Sequence, residues 1–169
     1  MSKEKVFIVD KEDNILDTKW RTELSNTDRW RIIAIWVENS LGEILLQQRS
    51  LSKDLNPGLW TPGVVGTVAV PDSYEETAYK ELSEELGISD TVLTLRSIAQ
   101  YKASVGYRNI HTFQCVIDRS IKDFVIQQEE VEQIKWITPL ELRRELKVHP
   151  EKFTVPDLWD QIYNFSTEE

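Results

Sequence analysis

Apolar and polar positions divide this chain into short strands and a few amphipathic helices. Residues 6–9 (Val-Phe-Ile-Val) form a β-rich run, residues 10–14 supply turn chemistry, and Ile15-Leu16 returns as a small hairpin. Residues 17–29 are polar and follow no clear period. Residues 32–37 are apolar throughout, the pattern of a buried strand, and 38–42 turn the chain into a second strand at 43–48. A loop containing Asn56-Pro57-Gly58 leads through Trp60 and Gly63 to a strand-like run at 64–70. Ser73 with Glu76 three residues later makes a capping box, and Ala78, Leu82 and Leu86 give one apolar helical stripe that Gly87 stops. Further strands are expected at 92–101, 108–117, 124–127 and 134–137. Thr138, Pro139 and Glu141 open a second helix. A last one starts near Pro156 and buries Leu158, Ile162 and Phe165. This order predicts an α/β (α+β) fold, a mixed sheet covered by helices.

Length and charge narrow the picture. The 169 residues suit one domain, with an N-terminal extension at 1–29, a core at 30–140 and C-terminal helices at 141–169. A formal charge of −9 argues against a nucleic-acid polymer as partner, because phosphate backbones require a cationic face. It leaves room for a small anionic substrate in a cleft where a metal and a few cations reverse the field. Cys115, the single cysteine, is expected to pack as a small apolar residue in a reducing compartment. With no long apolar run, the chain is expected to be cytoplasmic and free of membrane contact. The N-terminal hairpin leaves an edge that could pair with a second subunit in a homodimer.

Candidate chemistry concentrates in residues 66–88. Glu81, Glu84 and Glu85 fall on one arc of a helix of roughly 100°, where like charges repel unless a cation sits between them. A bare solvated acidic face would account for the carboxylates alone, but not for their flanks. Hard oxygen ligands of this kind suit Mg²⁺ or Mn²⁺, whose shell is completed by water and substrate phosphate.

Those flanks resemble the Nudix box, G-x5-E-x7-R-E-U-x-E-E-x-G-U, with U a bulky aliphatic residue. Gly66, Glu81, Leu82, Glu84, Glu85, Gly87 and Ile88 match, while Asp72 stands where Glu is usual and Lys80 where Arg is usual. The resemblance implies an α/β/α sandwich and metal-dependent hydrolysis of a small organic or nucleoside diphosphate. It implies that Glu81, Glu84, Glu85 and the Gly66 carbonyl bind metal. It implies that Lys80 turns inward to brace the carboxylates with Asp72 behind it. The water-activating base is then Glu81 or a loop residue such as Glu130 in the Glu129-Glu130 pair. Lysine lacks arginine's planar fork and Asp72 is one methylene short, so a degenerate domain that binds diphosphate without turnover is the alternative.

The stretch from Leu45 to Lys53, with Pro57-Gly58-Leu59-Trp60-Thr61, is similar to the segment before the box in isopentenyl-diphosphate isomerases and their hydrolase-like relatives. There, the positions of Arg49 and Lys53 hold the substrate diphosphate, and guanidinium and ammonium groups suit that task. Trp60 is a candidate pocket-lining residue. Isomerase activity itself is not implied. The isomerase cysteine position reads Val65, its metal-binding histidines fall at Trp30 and Thr67, and its metal-binding glutamates near Arg108 and Ile110. His111, Trp36 and Trp136 sit in strand patterns and are expected to pack rather than react.

Overall fold

The apolar run at 32–37 becomes the middle of a ten-residue strand in the computed structural model, which describes residues 4–156 and Trp159. Among the described residues the elements are β1 (Lys5–Val9), β2 (Ile15–Trp20), β3 (Arg29–Glu38), β4 (Ile44–Arg49), β5 (Trp60–Pro62) and β6 (Val64–Thr67). They continue with α1 (Tyr74–Leu86), β7 (Thr94–Lys102), β8 (Tyr107–Val116), β9 (Val131–Ile137) and α2 (Pro139–Val148). The expected burial of Leu158, Ile162 and Phe165 lies outside the described residues.

Both edges of β3 are occupied. It pairs in parallel with β8 along its whole length and antiparallel with β6 through Ile32–Thr67 to Ile35–Val64. After one pair with β3, Glu38 with Ile44, β4 diverges and takes β9 and β5 as antiparallel neighbours. The sheet is therefore mixed, and the period-two alternation of β3 divides the core in two. Ile33, Ile35 and Val37 pack against Ala78, Leu82 and Leu86 of α1. Ile32, Ala34 and Trp36 share the opposite core with Leu142 and Leu146 of α2. A helix on each face makes the α/β/α sandwich, and each fully buried leucine of the α1 stripe contributes about 2 kcal/mol.

Helix α1 has both expected caps. Ser73 Oγ accepts from the Glu76 amide at 3.2 Å while Glu76 accepts from the Ser73 amide at 2.8 Å. Gly87 adopts the left-handed conformation, φ 65°, and its amide donates to the Ser83 carbonyl. The tip of the β1–β2 hairpin is fastened to the start of α1. Asp13 accepts from Arg31 Nε at 3.1 Å, the Tyr74 hydroxyl at 2.9 Å and Asn109 Nδ2 at 2.9 Å. Tyr74 in turn stacks on His111 with ring centroids 3.6 Å apart, so His111 packs as expected.

Two expectations need correction, and two segments assigned no element join strands. The segment at 124–127 is not a strand: the Val125 and Gln127 amides donate to the Leu86 and Glu85 carbonyls at 3.3 and 3.2 Å. Those carbonyls end a helix and have no partner within it, so the passing chain satisfies them instead of joining the sheet. The strand at 64–70 ends at Thr67, and the Val70 amide bonds back to Lys5. Part of the unassigned stretch 17–29 belongs to β2, followed by a single 3₁₀ turn at Arg21–Glu23. Trp60 to Pro62 pair with β4 as a short strand. The turn between β5 and β6 requires Gly63, since a Cβ there would stand 1.7 Å from the Ile35 carbonyl oxygen at a φ of +67°.

Candidate active site

Glu81, Glu84 and Glu85 line one open cleft of about 560 Å³ with Val65, Gly66 and Thr67 of β6. The helix approaches the strand closely because position 66 has no side chain. A Cβ on Gly66 would lie 2.6 Å from Glu81 Cγ and 2.8 Å from Cδ. Glu85 is 5% exposed and lies inside the packed face rather than beside it. Its carboxylate accepts from Gln47 Nε2 at 2.6 Å. Glu84 points to the exposed side of the helix.

The carboxylates are poorly compensated. Burial, reinforced by the charges of Glu85 and Glu84, pushes the Glu81 carboxyl up to about 8. Burial pushes Glu85 up to about 7 against the opposing Gln47 hydrogen bond. Gln47 Oε1 is buried beside them without a donor among the described residues. Such an excess of hard acceptors fits a divalent cation. Among the described residues no group of three Asp, Glu, His or Cys side chains is placed to hold a metal ion by itself. A Mg²⁺-type ion here would keep water and phosphate oxygens in its shell, as that ion ordinarily does.

A pH prediction follows from the two raised carboxyls. An unfolded glutamate ionises near 4.5, whereas folded Glu81 and Glu85 hold protons up to about 8 and about 7. The folded state binds more protons in that window, so metal-free stability falls as pH rises from about 4.5 to about 8 and then levels. Thermal melts in chelator at about pH 5 and about pH 8.5 should show the loss. Added Mg²⁺ should raise the melting temperature more at the higher pH. Equal metal-induced shifts at both would disconnect these two groups from the cation.

The cations come from elsewhere. Arg49, at the end of β4, donates from Nε to the Leu55 carbonyl at 3.1 Å, and its charge is disfavoured chiefly by burial. Lys53 lines the cleft and forms an ion pair with Glu130, which also lines it. The hydrogen bonds from Val125 and Gln127 to the end of α1 bring this loop there.

Two candidates fall elsewhere. Lys80 does not turn inward; its side chain is 52% exposed and its nitrogen is 3.9 Å from Asp72. One residue along a helix is a rotation of about 100°, which carries position 80 away from Glu81 towards the solvent face. Trp60 does not line the cleft. It pairs with Gln48, whereas Gln47 faces Glu85, so strand parity sends Trp60 to the α2 side, with Lys135 over its ring at 4.4 Å.

Sequence reading missed Gln47 and the contribution of Glu4, Arg21 and Thr22 to the cleft. The alternation Leu45, Gln47, Arg49 was the available signal for Gln47: polar residues continue the inward face of a buried strand. Cys115 is 3% exposed in the α1-side core, and burial pushes its thiol up to about 12. No helix among the described residues is long and apolar enough to cross a membrane.

The sandwich lays the carboxylates of α1 against the strand at Gly66, with Arg49 and Lys53 across the same cleft. The NUDIX domain family matches residues 28–158, and the chain belongs to that family as a Nudix hydrolase. It is 33% identical over 147 residues to an uncharacterized Nudix hydrolase of Pseudomonas aeruginosa, covering 85% of each chain. It is 29% identical over 155 residues to isopentenyl-diphosphate Delta-isomerase 2 of Photorhabdus laumondii, covering 89% of this chain and 86% of the relative. A crystal structure of a Deinococcus radiodurans protein superposes with a TM-score of 0.79 at 21% identity. It covers 95% of this chain and 98% of that one and shows the likeness of fold.

Proposed function

We propose that the protein is a Mg²⁺- or Mn²⁺-dependent hydrolase of a small organic or nucleoside diphosphate. The observation that carries this reading is the meeting of Glu81, Glu84 and Glu85 with Arg49, Lys53 and Glu130 in one polar cleft. Glu81, Glu84, Glu85 and the Gly66 carbonyl are the groups that would hold the metal. A bound divalent ion would offset the charge of the diphosphate and its transition state and make water easier to deprotonate. Arg49 and Lys53 bind phosphate oxygens by charge-assisted hydrogen bonds. Glu130, tethered by Lys53, orients the attacking water and takes its proton on the carboxylate, with Glu81 the second candidate for that role. Lys80 faces solvent and pairs with Asp72, yet its charge still favours the ionised form of Glu81, so the lysine in place of arginine keeps a cation near the carboxylates and does not by itself favour a non-catalytic domain.

Alkene isomerisation is disfavoured by the same cleft. Its lining offers Val65 where a proton-donating thiol would stand, and Cys115 lies in the core. The test is phosphate release from a panel of nucleoside, sugar and prenyl diphosphates with Mg²⁺, Mn²⁺ or chelator. Release that persists undiminished in chelator, or no release at all, would sink the proposal.

Arg49→Ala should raise KM more than it lowers kcat, because the guanidinium grips phosphate in ground and transition states alike. Losing one charged hydrogen bond costs about 1.5–3 kcal/mol, or roughly 10- to 100-fold in kcat/KM. Lys53→Ala should do the same more weakly, since its ammonium is less directional. Steady-state kinetics decide this; unchanged KM in both variants would leave the phosphate to the metal alone.

A further inference from the structure

Gln47 is 3% exposed in the middle of β4, next but one to the fully buried Leu45. An apolar side chain would continue that inward face and leave nothing unsatisfied. The glutamine instead buries an oxygen, Oε1, that has no donor among the described residues, and a buried acceptor without a partner costs stability. What the amide gains in return lies on the facing helix. Its Nε2 donates to Glu85 Oε2 at 2.6 Å, a bond between side chains 38 residues apart in sequence. It is the only hydrogen bond to that carboxylate among the described residues. An ionised carboxylate can only accept, so the nitrogen end of the amide has to face it, and Oε1 is turned away from any partner.

The bond fixes a direction. With Oε2 held by Gln47, Oε1 of Glu85 is the oxygen left for the cleft that this residue lines. The support behind it is firm, because β4 pairs with β5 along one edge and with β9 along the other. Two residues further on, Arg49 leaves the same strand and lines the same cleft. One strand therefore spaces a carboxylate of the helix and a guanidinium around the site.

We propose that Gln47 is a positioning residue for the cation site, holding the Glu85 carboxylate so that Oε1 meets the bound divalent ion. This rests on the reading of Glu85 as a metal ligand. Partners of this kind orient a ligand without touching the metal, and losing one typically costs ~10- to 100-fold in metal affinity.

The test is calorimetry of Mg²⁺ binding without substrate, at about pH 9, above the values to which burial pushes Glu81 and Glu85, so that protons compete little for the site. Gln47→Met keeps the length and removes the donor, and should weaken Mg²⁺ about 10-fold. Gln47→Asn keeps an amide but falls one methylene short; it should lose about as much and guards against a packing artefact of the methionine. Thr61 provides the control. It faces Gln47 across the β4–β5 pair and also buries a hydroxyl without a partner, yet it makes no bond to Glu85. Thr61→Val should leave Mg²⁺ affinity within about 2-fold. In kinetics, the Mg²⁺ needed for half-maximal phosphate release should rise about 10-fold in Gln47→Met, while KM for the diphosphate at saturating Mg²⁺ stays within about 2-fold. Mg²⁺ affinity unchanged in both Gln47 variants, or an equal loss in Thr61→Val, overturns the proposal. Its failure differs from that of the hydrolase reading. Mg²⁺ binding that depends on Gln47 without phosphate release removes the hydrolase and leaves the positioning role, and phosphate release with Mg²⁺ affinity indifferent to Gln47 does the reverse. A wild-type protein that binds no Mg²⁺ overturns both.

Discussion

Glu85→Gln is expected to abolish metal-supported hydrolysis and at the same time to make the metal-free protein more stable. Both effects have one cause. Glu85 is almost fully buried, and burial pushes its carboxyl up to about 7, so its ionised form is a charge held out of water that builds up as pH passes neutrality. Gln47 Nε2 donates to it, but Gln47 Oε1 has no donor among the described residues. A glutamine at 85 removes the buried charge, still accepts from Gln47, and can offer its own N–H to the orphaned oxygen. Completing that pair should add about 1–2 kcal/mol. The catalytic loss should exceed about 10³-fold, because metal stabilisation of the transition state is worth several kcal/mol. Glu84→Gln should lose activity comparably but gain little stability, since Glu84 is exposed. Phosphate release and chelator-treated melts check the two halves separately. Near-wild-type turnover in either variant at saturating Mg²⁺ would remove that glutamate from the metal site.

What the sequence made legible was whatever local periodicity and capping determine. Helix α1 was readable because Ser73, Glu76 and Gly87 punctuate an apolar stripe, and β3 because six consecutive apolar residues need a covered strand. The carboxylate wall of the cleft followed from that helix alone. Features set by tertiary pairing were not legible. Phe124, Val125 and Ile126 have strand propensity, yet their segment serves the unsatisfied end of α1 and so carries Gln127 and Glu130 to the cleft. Trp60 looked like pocket lining because it is aromatic and next to a glycine loop; its side is set by register with Gln48. Arg21 lies in a stretch with no period, and only the pairing of β1 with β2 puts it beside the site. Lys80 was assigned by its place in a motif, whereas helix geometry turns it to solvent.

Gly66→Ala should cost at least about 10²-fold in kcat/KM while leaving the fold in place. Unlike Gly63, this glycine does not need a left-handed backbone, so alanine brings no conformational penalty there. The added methyl instead meets the side chain of Glu81, at 2.6 Å from Cγ, 2.8 Å from Cδ and 2.9 Å from Oε1. These distances lie inside van der Waals contact, and the end of a glutamate yields more readily than two packed backbones. Glu81 therefore swings aside, and a displacement of ~1 Å in a group at the reacting centre can cost ~10²-fold in rate. The displacement should also weaken the cation site, so the rise in melting temperature on adding Mg²⁺ should shrink. The metal-free melting temperature should move only slightly or rise, because Glu81, itself pushed up to about 8, moves towards water. Melts with and without Mg²⁺, beside kinetics on the best diphosphate, separate this from a general packing defect. A packing defect lowers both melting temperatures together; a displaced Glu81 lowers only the one with metal. Wild-type turnover and an intact Mg²⁺ shift would mean that Glu81 does not work from its position against Gly66.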